Sequence, residues 1–305
     1  PSAGVTLGTT LSQDVTITDN DVSVEFGAAN YQVNEDGSVV GAEITIDRTG
    51  ATAFASSVEV SFTDGTATGG DVDYTSTTQT INFTASQTSA TVTVPINDDL
   101  IDEDNETLTL NLINPSANSI IGTQNTTVLT IVDDDTAGIT VNPVGGDIAV
   151  TEGGATDSYT IALETIPTVD VTITVTPDVQ TDLGAGAGVG IDLVFAADMT
   201  ALDPQTITVT ADDDAIVEGD HTSTIIHAIS SGDGKYSVLS IPNVTADIAD
   251  NDGTITVIKD ADVDNGTTFN FTGGLGAFDL LDGESNASGV LTAGSYAVTE
   301  VIPAN

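Results

Sequence analysis

Leu129-Thr-Ile-Val-Asp-Asp-Asp135 sets alternating apolar and hydroxyl residues directly before three consecutive carboxylates. The same arrangement recurs at Val15-Thr-Ile-Thr-Asp-Asn-Asp21 and at Ala246-Asp-Ile-Ala-Asp-Asn-Asp252. The acidic triplets start at 19, 133 and 250, so they are spaced by 114 and 117 residues. Two further anchors keep this period: Glu35 and Glu152 lie 117 apart, and Asp98-Asp99-Leu-Ile-Asp-Glu103 lies 115 before Asp213-Asp214-Ala-Ile-Val-Glu218. Three independent anchors at one period identify an internal repeat of about the size of an immunoglobulin-like sandwich.

Outward from these anchors, Val22 to Phe26, Ser57 to Phe62, Thr107 to Leu112, Val169 to Thr176 and Gln205 to Val209 alternate small polar residues with Val, Ile or Leu. A period of two fits half-buried strands, and no stretch sustains a helical period. The predicted class is all-β, as tandem immunoglobulin-like antiparallel β-sandwiches. Residues 22–135 and 136–252 form two repeats, residues 1–21 the closing strands of a preceding one, and residues 253–305 a partial further β domain. The chain opens at Pro1 without a signal peptide and begins and ends inside β units, which is expected of a segment of a longer polypeptide.

The charge is extreme: 47 Asp and Glu stand against Arg48, Lys235 and Lys259, for a formal net charge of -44. Nucleic acid and anionic membrane surfaces both need a basic face on their partner, so neither is a partner here. High charge with few aromatics also characterises disorder, but 39% of this chain is hydrophobic and well patterned, which argues for a packed core. With no cysteine, disulfides and zinc-thiolate sites are unavailable. No apolar run reaches the ~18 residues of a membrane span.

Protein cations cannot neutralise the acids, which leaves a solvent cation. Ca2+ takes about six to eight oxygen ligands from carboxylates, carbonyls and water. Successive side chains of an extended segment point to opposite sides, so neighbouring aspartates of one triplet can serve ions on both flanks. Without a cation, like charges about 4 Å apart repel by ~1 kcal/mol in water and ~4 kcal/mol at an effective dielectric of 20.

These residues resemble the Calx-β family of calcium-binding β-sandwich repeats. The family pattern of an early glutamate, a turn aspartate, an Asp-Asp-x-x-x-Glu-x-x-Glu loop and a terminal aspartate cluster falls on Glu35, Asp73, Asp98, Asp99, Glu103, Glu106, Asp133, Asp134 and Asp135. The resemblance also implies a backbone carbonyl ligand at Ile101. In the second repeat it implies Glu152, Asp213, Asp214, Glu218, Asp250 and Asp252 as ligands. There His221 stands where Glu106 stood, Asn251 replaces the middle aspartate, and the turn aspartate has no counterpart in the sequence. Fewer carboxylates predict fewer ions or weaker binding. Gly253-Thr-Ile-Thr-Val-Ile-Lys-Asp260 with Gly294-Ser-Tyr-Ala-Val-Thr-Glu300 resembles the prealbumin-like or Spa-type modules of bacterial surface and pilus proteins.

Other signals have plainer readings. Asp260-Ala-Asp262-Val-Asp264-Asn-Gly266 begins like an EF-hand loop, but Gly falls one place late and Phe271 occupies the position of the bidentate Glu. Gly273-Gly-Leu-Gly276 is followed by Phe278 where a calcium β-roll needs Asp, so a hairpin turn is predicted. The glycines of 184–190 lack the Gly-x-Gly-x-x-Gly spacing and a following helix, which predicts a mobile loop. Asn82, Asn105, Asn125 and Asn243 sit in sequons. A catalytic reading through His221, His227 or a carboxylate pair is set aside, because the repeat accounts for the same residues more simply.

The expected function is a calcium-binding structural component of an extracellular fibre, stalk or cell-surface adhesin, with Ca2+ stiffening the junctions between sandwiches. The alternative is a recognition module binding a glycan or protein receptor through sandwich-end loops. The strand patterns around Val5 to Leu7 and Asp14 to Thr18 lack a sandwich of their own. They predict pairing with an adjoining repeat or another copy of the chain in a linear assembly.

Overall fold

A computed structural model of the chain describes residues 14–16, 21–36, 41–117, 119–143, 147–262 and 266–301. The strand pattern at Val5 to Leu7, most of the first acidic triplet, Gly37 and Asp264 lie outside these residues. The chain divides into two compact units, Pro1–Asp135 and Thr136–Asn305.

In the first unit the strands are β1 (Val22–Phe26), β2 (Asn30–Asn34), β3 (Ala42–Gly50), β4 (Ser56–Asp64), β5 (Gln79–Phe83), β6 (Ser89–Val94), β7 (Glu106–Ile113), β8 (Ser119–Ile121) and β9 (Thr126–Val132). They form two sheets, ordered β6-β3-β1-β8 and β2-β9-β7-β4-β5. The alternation seen in the sequence becomes alternation of burial: Leu108, Leu110 and Leu112 of β7 face a core with Val58, Val60, Ile44 and Ile46, while the intervening residues face outward. Each such buried aliphatic side chain contributes roughly 1.5–3 kcal/mol. Arg48 is also inside, only 1% exposed. Its guanidinium donates to the carbonyls of Phe54, Thr52 and Thr84 and to Ser56 Oγ at 2.9–3.0 Å, and lies 5.2 Å from the Phe83 ring centroid. The arginine thus closes the loop between β3 and β4, at a site apart from the acidic clusters.

The second unit repeats the plan with β10 (Ile139–Pro143), β11 (Ile148–Thr151), β12 (Asp157–Leu163), β13 (Val171–Pro177), β14 (Thr181–Asp182), β15 (Ile191–Phe195), β16 (Gln205–Ala211), β17 (His221–Ser231) and β18 (Val244–Ala249), with a single 3-10 turn at Met199–Leu202 among the described residues. Its five-stranded sheet, β11-β18-β17-β13-β15, has the order of β2-β9-β7-β4-β5. The four-stranded sheet, β10-β12-β16-β14, gains β14 at one edge and, among the described residues, has no strand beyond β10 at the other. Inside, Tyr159 packs in the core, and its hydroxyl lies 3.0 Å from His227 Nε2. His227 Nδ1 lies 2.9 Å from the Pro242 carbonyl, which only accepts. Nδ1 therefore holds the proton and Tyr159 donates to Nε2.

The antiparallel expectation holds for most pairs, with three exceptions that run parallel: β1 with β8, β2 with β9 and β11 with β18. The last two position the site. Asn34 lies beside Val132 and Thr151 beside Ala249, so the residue after each first strand meets the acidic triplet after each last strand.

The segment 184–190, expected as a mobile loop, is an organised turn. Asp182 Oδ1 accepts from the amides of Gly184 and Gly186 at 2.6 and 2.8 Å, and Gly188 N donates to Thr181 O. A short carboxylate supplies the order that the glycine content argued against.

Residues after Ala249 add β19 (Asp252–Gly253), β20 (Thr256–Ile258), β21 (Phe269–Gly273), β22 (Phe278–Leu280), β23 (Ser285–Ala287), β24 (Leu291–Thr292) and β25 (Val298–Val301). Phe271 and Phe278 stack at 5.2 Å, and Lys259 Nζ lies 4.1 Å from the Phe269 ring centroid and 3.4 Å from Glu300. The Gly273 to Gly276 stretch closes a turn, with Gly276 N donating to Gly273 O.

Candidate metal centres

Glu35 follows β2 and its amide donates to Val132 O at 3.0 Å, which seats it beside Asp133 although the two are 98 residues apart in sequence. Asp73 comes from a tight turn. Asp71 in that turn takes a left-handed φ of 68°, Thr68 N donates to Asp73 Oδ2 at 2.6 Å, and Tyr74 anchors the turn through its hydroxyl to Asp64 Oδ1 at 2.6 Å. Asp73 is 9% exposed. One oxygen each from Asp73, Glu103 and Glu106 lie within 4.8 Å of one another.

The fields of these groups show how closely they converge. Burial, with the facing carboxylates of Asp99, Glu103, Asp133 and Asp73, pushes the Glu35 carboxyl up to about 8. Burial and a hydrogen bond shared with Asp73 push Glu106 up to about 7, with Glu103 adding to the shift. Asp135 is raised by burial and by Asp133, Asp134, Asp99 and Asp98. Two groupings emerge, one around Glu35 and one around Asp135, with Asp99 and Asp133 common to both. Asp134 is exposed between its half-buried neighbours, the alternation expected of an extended triplet. Ile101 donates its amide to Asp99 Oδ1 at 2.8 Å, a turn that shapes the loop.

The second repeat reproduces the frame and changes the side chains. Glu152 N donates to Ala249 O, Ile216 N donates to Asp214 Oδ1 at 2.7 Å as Ile101 does to Asp99, and His221 pairs with Ile248 as Glu106 pairs with Ile131. The missing counterpart of Asp73 is Gln180. Tyr74 bridges Ile96, and Thr181 pairs with Ala211 at the equivalent place; Asn97 N donates to Asp73 O just as Asp212 N donates to Gln180 O. Sequence reading misses Gln180 because the stretch leading to it is rebuilt, and only the 115-residue offset of the acidic loop, applied across the pairing, locates it.

Three carboxylate positions of the first repeat are therefore uncharged or imidazole in the second: Asp73 gives way to Gln180, Glu106 to His221 and Asp134 to Asn251. Their nitrogens fill the gap. Asn251 Nδ2 donates to Asp213 Oδ1 at 2.8 Å and to Glu152 O at 2.6 Å, and Gln180 Nε2 donates to Glu218 Oε2 at 2.7 Å. Asp250 is occupied by the backbone: Glu218 N and Gly219 N reach its Oδ2 at 2.8 and 2.6 Å, and Asp252 N reaches Oδ1 at 2.7 Å. These amides, Asp252 and Gly219 foremost, hold its carboxyl below the usual range, so it clamps the loop. Gly153 stands in a left-handed φ of 58°, and a Cβ there would come within 3.0 Å of Asp213 Oδ1.

Some acid remains unpartnered. Both carboxylate oxygens of Asp252 are buried without a hydrogen bond, and its carboxyl is raised by burial and by Asp250, Asp213 and Asp214. Glu152, 3% exposed, is raised chiefly by burial. Glu152, Asp250 and Asp252 each bring an oxygen within 4.8 Å of the others. Buried, mutually repelling and partly orphaned carboxylates fit a hard divalent cation, whose charge removes both penalties. No helix among the described residues is long and apolar enough to cross a membrane.

The model of the Calx-beta domain family matches residues 18–135 and 181–262. Among solved structures, the apo-form Calx CBD1 domain is 24% identical over 38% of this chain and 99% of its own length, with a TM-score of 0.35. The calcium binding domain CBD12 of CALX1.1 is 18% identical over 74% of this chain and 99% of its own, with a TM-score of 0.37. BcpA, the major pilin subunit of Bacillus cereus, is 12% identical over 92% of this chain and 87% of its own, with a TM-score of 0.34. No curated protein gave a match.

Proposed function

Because this chain belongs to the Calx-β domain family, we propose that it is a calcium-binding structural protein whose sandwich-end carboxylates are filled by Ca2+ outside the cell. The reading rests on one observation: Asp73, Glu103 and Glu106 each bring an oxygen within 4.8 Å of the others, with Glu35 seated beside Asp133 by its amide bond to Val132 O. In the first repeat Glu35, Asp73, Asp99, Glu103, Glu106 and Asp133 would hold one ion, and Asp98, Asp99, Asp133, Asp134 and Asp135 would hold the neighbouring position. In the second, Glu152, Asp213, Asp214 and Asp252 are the available oxygen donors, with Asp250 shaping the loop.

A bound Ca2+ supplies positive charge where the acids converge. The chain's own residues do the rest. The parallel pair β2 and β9 fixes Glu35 against the terminal triplet, the Tyr74 turn fixes Asp73, and the Asp99 turn brings the loop of Glu103 and Glu106 back towards them. Asp133, Asp134 and Asp135 end the first repeat and directly precede Thr136. We place the function there: filling the cluster stiffens the passage from one sandwich to the next, as required of a fibre, stalk or adhesin. The high negative charge keeps neighbouring chains apart and soluble.

Calorimetric titration of the chain with Ca2+, paired with thermal melts in Ca2+ and in chelator, tests this reading. Binding to the folded state alone raises the midpoint by linkage. Identical melts in the two conditions, with no heat of binding, overturn it.

A further inference from the structure

In the second repeat the position of the all-carboxylate trio Asp73, Glu103 and Glu106 is taken by Gln180, Glu218 and His221, with Glu152 alongside. One donor atom each from Glu152, Glu218 and His221 lie within 4.8 Å of one another. His221 Nε2 is 3.6 Å from Glu218 Oε2, near the ~3.3 Å that separates two ligands of one tetrahedral ion with bonds of about 2.0–2.1 Å.

The imidazole is set in one tautomer. His221 Nδ1 lies 2.9 Å from Gly219 O, and a carbonyl only accepts, so Nδ1 holds the proton and Nε2 directs its lone pair into the cluster. This is the arrangement that orients metal-binding histidines generally: one nitrogen held by a backbone carbonyl, the other turned towards the ion. Gly219, at a left-handed φ of 73°, provides the turn.

Glu152 gives a second, independent indication. It is 3% exposed, and among the described residues its carboxylate receives one bond, from Asn251 N at the long distance of 3.5 Å. A buried carboxylate with so little hydrogen bonding is costly unless a cation completes it. The nearby amide nitrogen of Gln180 lies 3.1 Å from His221 Nε2 and 2.7 Å from Glu218 Oε2. Turning that amide over presents its oxygen in the same place, as a fourth donor.

Hard Ca2+ selects oxygen, whereas borderline divalent transition metals accept imidazole nitrogen together with carboxylate oxygen. We propose that Glu152, Glu218 and His221 form a site for a divalent transition metal of the Zn2+ type, beside the oxygen donors Asp213, Asp214 and Asp252 and sharing Glu152 with them. The proposal stands on these side chains and does not depend on calcium binding in the first repeat.

The test uses the full chain, saturated with Ca2+ and titrated with Zn2+. Calorimetry follows the binding, and nitrogen-detected imidazole spectra report on His221 and His227. The first equivalent of Zn2+ is expected to shift His221 Nε2, leaving Nδ1 protonated and His227 unchanged. His221→Gln is expected to weaken that equivalent at least about tenfold with Ca2+ stoichiometry unchanged. His221→Glu restores the carboxylate of the first repeat, and is expected to lose Zn2+ while retaining or gaining Ca2+. Undiminished Zn2+ affinity in His221→Gln, a shift confined to His227, or Zn2+ displaced by millimolar Ca2+ overturns the proposal. Failure of Ca2+ to bind in the same calorimeter would overturn the calcium reading and leave this site standing.

Discussion

Asn251 Nδ2 donates to Asp213 Oδ1 at 2.8 Å, placing an amide hydrogen between carboxylates at the position where the first repeat has Asp134. A neutral donor here offsets part of the repulsion among the carboxylates around it.

Asn251→Asp reverses that arrangement. It removes the bonds to Asp213 and to Glu152 O and adds a like charge, so the metal-free protein should lose roughly 1–3 kcal/mol. Saturating Ca2+ should recover most of the loss. Thermal or urea unfolding in chelator and in Ca2+ measures both, and a substitution without effect in chelator would show that the amide is not compensating for charge.

Asp98→Asn with Asp99→Asn should remove most Ca2+ binding from the first repeat, because Asp99 belongs to both groupings there. Asp213→Asn with Asp214→Asn should lose less, since the second cluster already contains nitrogen donors. Calorimetric stoichiometry compares the two, and equal losses would reverse this ranking.

Metal-free stability should fall as pH rises. An unfolded Glu35 ionises near its ordinary value of 4.5, whereas the folded one keeps its proton up to about 8. Between those values the folded state binds more protons, so the free energy of unfolding decreases with pH. Glu106, raised to about 7, adds to the same slope over the lower part of the window. Unfolding in chelator from about pH 5 to about pH 8 should trace the decline, Glu35→Gln should flatten it, and Ca2+ should oppose it by favouring the ionised forms. A flat metal-free profile in the unaltered chain would refute the convergence of charge on Glu35.

Arg48→Ala should destabilise the first repeat by roughly 2–4 kcal/mol, because it removes the guanidinium hydrogen bonds to Thr52, Phe54, Ser56 and Thr84 and leaves a cavity beside Phe83. Calcium stoichiometry should stay unchanged, since Arg48 serves the β3 to β4 loop rather than the acids. A change of less than about 1 kcal/mol in urea unfolding would contradict the role assigned to its hydrogen bonds.

By itself the sequence determined the strands, the repeat and the positions of most acids. Strand burial follows a period of two that any local stretch reveals, as Leu108, Leu110 and Leu112 illustrate, and the 114 to 117 residue offsets required no folding to read. Only the tertiary structure decided which acids meet and which are already engaged. Glu35 reaches Asp133 through a parallel register spanning 98 residues, Gln180 is recognised as the counterpart of Asp73 only by its pairing beside Ala211, and Asp250 is taken up by the amides of Glu218, Gly219 and Asp252. Residue type and spacing fix what a side chain offers; strand pairing and loop hydrogen bonds, which link distant segments, fix what it touches.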